Sequence, residues 1–206
     1  MTSQICIVDY QSGNLHSLQN SLMSLGYSSY ISSDPKKIIK ADKLILPGVG
    51  SFNQGIENLK KQNLDKAIIE YVNSGKYLLG ICLGMQLMFE SSSEFNFKSG
   101  LSLIKGTVKS LIYEKNFPVP HIGWNNLQIN NVNHQFLNNL SINDNFYFIH
   151  SYFVEMSEEI DLSIRTIYGN NNFTSMIIKK NMLGTQFHPE KSGKKGLKIL
   201  RNFISL

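Results

Sequence analysis

The sequence predicts an α/β protein: a mostly parallel central sheet with helices on both faces, and a β-rich elaboration in the second half. Three observations lead there. In the first half, short apolar runs alternate with stretches of helical periodicity, which is the pattern of βαβ units. At Gly80-Ile81-Cys82-Leu83-Gly84 an apolar run passes into a helix-compatible run through a cysteine set between glycines. From about Ser102 the pattern changes to short β-like runs punctuated by Asn and Gly.

Taken in order, Ile5 to Val8 is the first strand, ending at Asp9 and the loop Tyr10-Gln11-Ser12-Gly13-Asn14. Leu15, Leu18, Leu22 and Leu25 recur at helical spacing, and Gly26 stops that helix. Ser28 to Ile31 supplies a second strand. Asp34 as N-cap and Pro35 at the first helical position open a short helix through Ile39. Lys43 to Leu46 is the third strand, broken by Pro47-Gly48-Val49-Gly50. Helical patterns run through Phe52 to Leu59 and Leu64 to Tyr71, closed by Ser74-Gly75. Tyr77 to Ile81 reads as a buried strand, and the run from Gly84, with apolar Leu87, Met88 and Phe89, as a helix. The β-like runs beyond are Leu103-Ile104, Thr107-Val108, Trp124 to Ile129, Asn145 to Val154, Leu162 to Ile167, Thr174 to Ile178 and Leu183 to Phe187. Gly196 to Leu206 is a final helix, with Leu197, Leu200 and Ile204 on one face. The β-rich half can be divided off as a second domain. One domain over residues 1–206 is preferred, because a base near the C-terminus must reach Cys82.

Composition narrows the class. With 206 residues, 42% hydrophobic and 17% charged, the chain has the balance of a globular protein with a sizeable core. No apolar run is long enough to span a bilayer, and the N-terminus lacks a basic segment followed by a signal-type apolar core. Its two cysteines, Cys6 and Cys82, suggest no disulfide framework, so a cytoplasmic location is expected. Cys6 lies in the first apolar run, where packing is its expected role. The net charge of +5 comes from dispersed lysines, densest at Lys191, Lys194, Lys195 and Lys198. No aromatic-interleaved RNA motif or zinc spacing accompanies them, so a solvated basic surface is the first reading and a patch for an acidic partner or phosphorylated substrate the second. With no metal cluster, P-loop or dinucleotide fingerprint, neither metal nor cofactor is expected.

Cys82 sits where a nucleophile elbow would hold its nucleophile, with Cys in place of Ser. A thiol at a helix N-terminus meets exposed backbone N–H groups and the positive end of the dipole, which favour thiolate. The Leu83 N–H, one residue on, is placed to hold an oxyanion. Against this stands a buried structural cysteine, the commoner fate of a free cysteine. A second stretch, Gln186-Phe187-His188-Pro189-Glu190, supplies a base and an acid. Pro189 pushes His188 into extended backbone, and extended positions two apart share a side, so Glu190 can orient the His188 ring. Such a trio could attack an amide, with Cys82 adding to the carbonyl and His188 shuttling the proton. The Pro47–Gly50 loop reads either as a strand-terminating turn or as a loop whose N–H groups help hold an oxyanion.

Gly80-Ile81-Cys82-Leu83-Gly84-Met85-Gln86 together with Gln186-Phe187-His188-Pro189-Glu190 resembles the triad (class I) glutamine amidotransferase family. Asp9-Tyr10-x-x-Gly13-Asn14-Leu15, Leu46-Pro47-Gly48-Val49-Gly50-Ser51-Phe52, Pro120-His121-Ile122-Gly123-Trp124-Asn125, His150-Ser151-Tyr152 and Lys191-Ser192-Gly193 are, within it, similar to the glutaminase subunits of imidazole glycerol phosphate synthase. The resemblance covers nearly the whole chain and implies a flavodoxin-like fold. It implies hydrolysis of glutamine to glutamate and ammonia, with ammonia passed to a (β/α)8-barrel synthase subunit in histidine biosynthesis. Cys82 is then the nucleophile, His188 the base and Glu190 its partner. Gln86, His150, Ser151 and Tyr152 fall at glutamine-binding positions, Gly50 and Leu83 at the oxyanion hole, and Asn14, Trp124 and Lys191 at the synthase interface. One departure is Gln11-Ser12, where the family has a glycine and a small residue. His121 and Trp124 are read as core or interface, both readings standing. Rival functions are the same chemistry feeding a different synthase, a stand-alone thiol hydrolase, and a non-catalytic binding module.

Overall fold

The computed structural model describes residues 4–95, 97–129 and 134–206. The first half runs β1 (Ile5–Val8), α1 (Leu15–Ser24), β2 (Ser29–Ser32), α2 (Pro35–Lys40), β3 (Lys43–Leu46), α3 (Phe52–Lys61), α4 (Leu64–Asn73), β4 (Tyr77–Ile81) and α5 (Leu83–Leu87). It continues with β5 (Phe89–Ser92), β6 (Lys98–Ser99), β7 (Ile104–Ser110), β8 (His121–Asn126), β9 (Asn145–His150), β10 (Tyr152–Met156), β11 (Leu162–Tyr168), β12 (Asn171–Lys179), β13 (Met182–Thr185) and α6 (Gly193–Ile204).

The main sheet has the order β2-β1-β3-β4-β13-β12-β10-β7-β5-β6, with β11 also on β12. β2, β1, β3, β4 and β13 are parallel neighbours, and antiparallel pairings carry the sheet on through β12, β10 and β7. β8 and β9 form a separate antiparallel ribbon. The expected parallel core with a β-rich extension is therefore what the chain builds.

Alternation along the strands explains why helices cover both faces. Ile5 and Ile7 point into one cluster with Leu18 and Leu22 of α1 and Ile199, Leu200 and Phe203 of α6. Cys6 and Val8 point into the other, with Ile38 of α2, Ile56 of α3 and Ile68 of α4. Local signals set the helix starts. Asp34 accepts the Lys36 N–H ahead of Pro35, and Ser51 accepts the Gln54 N–H at the head of α3.

Three expectations need correction. The helix after Cys82 does not include Met88 and Phe89: it ends at Leu87, and Phe89 opens β5. The carbonyls of Leu87, Met88, Phe89 and Glu90 accept from the N–H groups of Leu101, Leu103, Ser102 and Gly100, so the returning chain pulls that segment into the sheet. The run Asn145 to Val154 is two strands broken at Ser151, one in the ribbon and one in the main sheet. The strand placed at Trp124 to Ile129 instead spans His121–Asn126.

The turn at the end of β4 is built by close backbone approach. A Cβ on Gly84 would lie 1.8 Å from the Leu46 carbonyl oxygen, and one on Gly80 would lie 2.7 Å from the Met85 Cα. Gly84→Ala should therefore destabilise the fold by about 3 kcal/mol, the upper end of overpacking costs. Urea unfolding should report this as a lower midpoint at unchanged slope; a midpoint equal to wild type would show that the contact is relieved without cost.

Candidate active site

Cys82 stands between β4 and α5 at φ 52° and ψ −110°, backbone that an L-residue rarely adopts. Two hydrogen bonds hold it there. The Cys82 N–H donates to the Thr185 carbonyl at 2.7 Å, and the Gln86 N–H to the Cys82 carbonyl at 3.2 Å. Because β4 and β13 are parallel with Ile81 opposite Thr185, the residues that follow each strand emerge at one carboxyl edge. Cys82, Gln186 and His188 are brought together in this way.

His188 is buried, and its Nδ1 lies 2.7 Å from Glu190 Oε1. The route to that contact differs from the extended one expected. His188 itself is extended, but Pro189–Lys191 is a single 3-10 turn, and the turn swings Glu190 back under the ring. The other nitrogen, Nε2, is buried without a well-formed hydrogen bond. Burial alone would strip the ring of its proton. The charge of an ionised Cys82, contact with that side chain, and then Glu190 together outweigh burial and raise the His188 pKa well above the ordinary imidazole range.

The two other buried histidines behave oppositely. Burial pushes His150 down to about 3 and His121 down to about 4. His150 Nδ1 lies 2.9 Å from the Tyr152 carbonyl and must donate to it, so His150 Nε2 accepts from His121 Nδ1 at 3.1 Å. Both rings stay neutral and fixed in tautomer. Of the three, only His188 is set up to carry a proton.

Cys82, Leu83, Gln86, His150, Ser151, Tyr152 and Gly50 all line one cavity of about 270 Å³. That is below the roughly 300–1,000 Å³ typical of drug-sized ligands, and suits a molecule the size of an amino acid. Gln86 spends both amide hydrogens internally, on the Tyr152 carbonyl at 2.9 Å and on Gln186 Oε1 at 3.0 Å, so it offers the cavity an acceptor. Glu94 is a wall residue that sequence reasoning missed; it is 8% exposed, and one oxygen caps α3 through the Phe52 N–H at 2.6 Å. No spacing marks it out, since only the return of β5 across the head of α3 puts it there.

The Pro47–Gly50 loop borders the same cavity. Its inner end is packed: the buried Tyr10 hydroxyl donates to the Pro47 carbonyl at 2.7 Å, and a Cβ on Gly48 would meet that hydroxyl at 2.0 Å. Its outer end is latched by Ser12, whose hydroxyl donates to the Val49 carbonyl and accepts from the Val49 N–H. The Val49 N–H therefore points at Ser12 and not into the cavity. Of the residues expected at an interface, Trp124 is 58% exposed on the ribbon beside the equally exposed Ile122. Lys191 and Asn14 are exposed too, although Asn14 also caps α1 by accepting the Ser17 N–H. His121 is a core residue. Among the described residues no group of His, Cys, Asp and Glu is placed to hold a metal.

Residues 6–206 match the family model described as glutamine amidotransferase class-I. The chain is 46% identical to the imidazole glycerol phosphate synthase subunit HisH of Sulfurimonas denitrificans, covering 97% of this chain and 96% of that one. It is 43% identical to the subunit HisH 2 of Methanococcus maripaludis, covering 97% and 98%. Among solved structures, PurLQS from Thermotoga maritima superposes with a TM-score of 0.75 at 17% identity, over 100% of this chain and 99% of that one, a likeness of fold.

The raised proton affinity of His188 can be read directly. Its stabilising proton is fully in place below the unfolded-state pKa of about 6.5 and is lost as pH rises through the elevated folded value. In a histidine NMR titration, wild-type His188 should stay protonated well above that pH. In Cys82→Ser the charge is gone, burial dominates, and the midpoint should fall. An unchanged midpoint would mean that sulfur and imidazole are not coupled.

Proposed function

Because the chain belongs to the class-I glutamine amidotransferase family, we propose that it is the glutaminase subunit of an imidazole glycerol phosphate synthase, with Cys82, His188 and Glu190 as its triad. The observation that carries this is the His188 ring, with Glu190 on Nδ1 and a buried, open Nε2 coupled to Cys82. The chemistry follows. Glutamine occupies the cavity with its side-chain carboxamide at Cys82. The buried carboxylate of Glu94 takes the α-ammonium group, and Gln86, His150, Ser151 and Tyr152 form the rest of the wall. Cys82 Sγ, whose proton already rests on His188 Nε2, adds to the amide carbon, and the oxyanion is held by the N–H groups of Leu83 and Gly50. His188 returns the proton to the departing nitrogen, ammonia leaves, and a γ-glutamyl thioester remains. Water, deprotonated by His188, then hydrolyses the thioester to glutamate and free thiol.

In this reading the ammonia goes to a (β/α)8-barrel synthase subunit, forming imidazole glycerol phosphate and an aminoimidazole carboxamide ribonucleotide, in the cytoplasm. The exposed Trp124, Lys191 and Asn14 meet that partner. The chain is one domain over its 206 residues. The loop latch favours a partnered enzyme over a stand-alone hydrolase. With Val49 tied to Ser12 the loop is in a resting arrangement, and a partner pressing on residues 11–14 can release it so that the loop turns and brings the Gly50 N–H to the oxyanion.

Ammonia release from the chain, with and without a candidate barrel synthase and its acceptor, tests the proposal. Addition of partner should accelerate release, and Cys82→Ser should lower the stimulated rate by at least about 10³-fold. Ser12→Ala removes the latch and should raise the partner-free rate about fivefold, the scale of one neutral hydrogen bond. Equal rates with and without synthase, and no effect of Ser12→Ala, would rule out the gate. A fully active Cys82→Ser would rule out the triad. Stimulation only by a barrel of other specificity would reassign the acceptor.

A further inference from the structure

We propose that Gln186 is a positioning residue, whose side-chain N–H holds the Cys82 sulfur in place between His188 and the cavity. The inference rests on the glutaminase reading and adds to it a residue with no role so far. Its geometry is fixed by a chain of hydrogen bonds that starts at one carbonyl. The Tyr152 C=O can only accept, and it receives Gln86 Nε2 at 2.9 Å. That settles which end of the Gln86 amide faces inward. The second Gln86 hydrogen goes to Gln186 Oε1 at 3.0 Å. Gln186 therefore has its oxygen committed, and its Nε2 faces Cys82 Sγ at 3.6 Å. The reverse orientation would set two buried NH2 groups against each other and aim a carbonyl oxygen at the sulfur, leaving donors unpaired.

Among the described residues Gln186 has side-chain hydrogen-bond partners in Gln86 and Cys82 alone. It is fully buried, and its backbone N–H is tied to the Ser175 carbonyl at 2.8 Å. In the bend that follows β13, Gln186 and His188 both face Cys82, while Phe187 between them packs on Phe146 at 4.4 Å between ring centroids. One short stretch thus presents the sulfur with both an imidazole and an amide donor. The donor tolerates thiol and thiolate alike, but bonds the charged form more strongly. It therefore favours the sulfur both before attack and as the leaving group when the thioester is hydrolysed. When the sulfur is protonated the opposing pull is the Ile149 carbonyl, 3.9 Å from Sγ.

Gln186→Glu separates a sulfur-holding role from a structural one. The carboxylate can still accept from Gln86, but it puts an acceptor where Cys82 needs a donor. Gln186→Met removes both contacts. Two readouts are taken on the full chain: iodoacetamide alkylation of Cys82 as a function of pH, and kcat and KM for glutamine with synthase present. The expected result for Gln186→Glu is a fall of about tenfold in kcat with KM within about twofold, and an alkylation midpoint raised by about one pH unit. Gln186→Met should move the midpoint the same way by less. A Gln186→Glu protein with wild-type kcat and midpoint overturns the proposal and leaves Gln186 a support for Gln86. The alkylation profile reads the sulfur's donor whatever the substrate. A wild-type chain that fails to hydrolyse glutamine, with the midpoint still shifted in Gln186→Glu, would therefore count against the glutaminase reading and not against this one.

Discussion

The parallel pairing of β4 with β13 is the constraint on which the site depends. Its register, Ile81 opposite Thr185, delivers a cysteine and a histidine more than a hundred positions apart in sequence to the same sheet edge. The Cys82 N–H to Thr185 carbonyl bond then extends that pairing one residue beyond β4 and holds Cys82 in its left-handed backbone. Strain of this kind persists only when the surroundings over-determine it. Here they do: Gly84 presses on the Leu46 carbonyl and Gly80 on Met85, leaving no room for the turn to relax.

Burial sorts the polar groups around the sulfur into those that carry charge and those that carry shape. His121 and His150 lie in the same low-dielectric region as His188, yet burial drives both to the neutral form because neither faces an anion. His188 keeps its proton because a sulfur and a carboxylate flank it. The Tyr152 carbonyl has a quieter role. By accepting from both His150 and Gln86 it fixes one tautomer and one amide orientation, and so the donor and acceptor pattern that a ligand would meet. The site is ordered by a backbone atom that no side-chain motif could have announced.

Much of this was legible in the sequence because local and tertiary preferences agree there. β1 to β4, the Asp34-Pro35 helix start and the cysteine at the strand end follow from apolar runs, caps and glycines, and β3 begins and ends where the apolar run does. What escaped was set by distant partners. Phe89 has the side chain of a helix face, but the amides of residues 100–103 claim the neighbouring carbonyls and draw it into a strand. Asn145 to Val154 is aromatic and apolar on both sides of His150-Ser151 and carries no Gly or Pro, so no local breaker reveals that it changes sheets at Ser151. The pairing of His188 with Glu190 was foreseen from residue types, though the 3-10 turn that makes it was not. Glu94 and the donor role of Gln186 depend on the packed structure alone.

The account stands on a reactive sulfur governed by one imidazole. The most direct measurement is covalent labelling by an electrophilic glutamine analogue, with the adduct mapped by peptide mass spectrometry in wild type and in His188→Asn. The account predicts a single adduct on Cys82, none on the buried Cys6, and labelling slowed by orders of magnitude when the imidazole is removed. Adducts spread over other residues, or a Cys82 adduct that forms equally fast without His188, would contradict it.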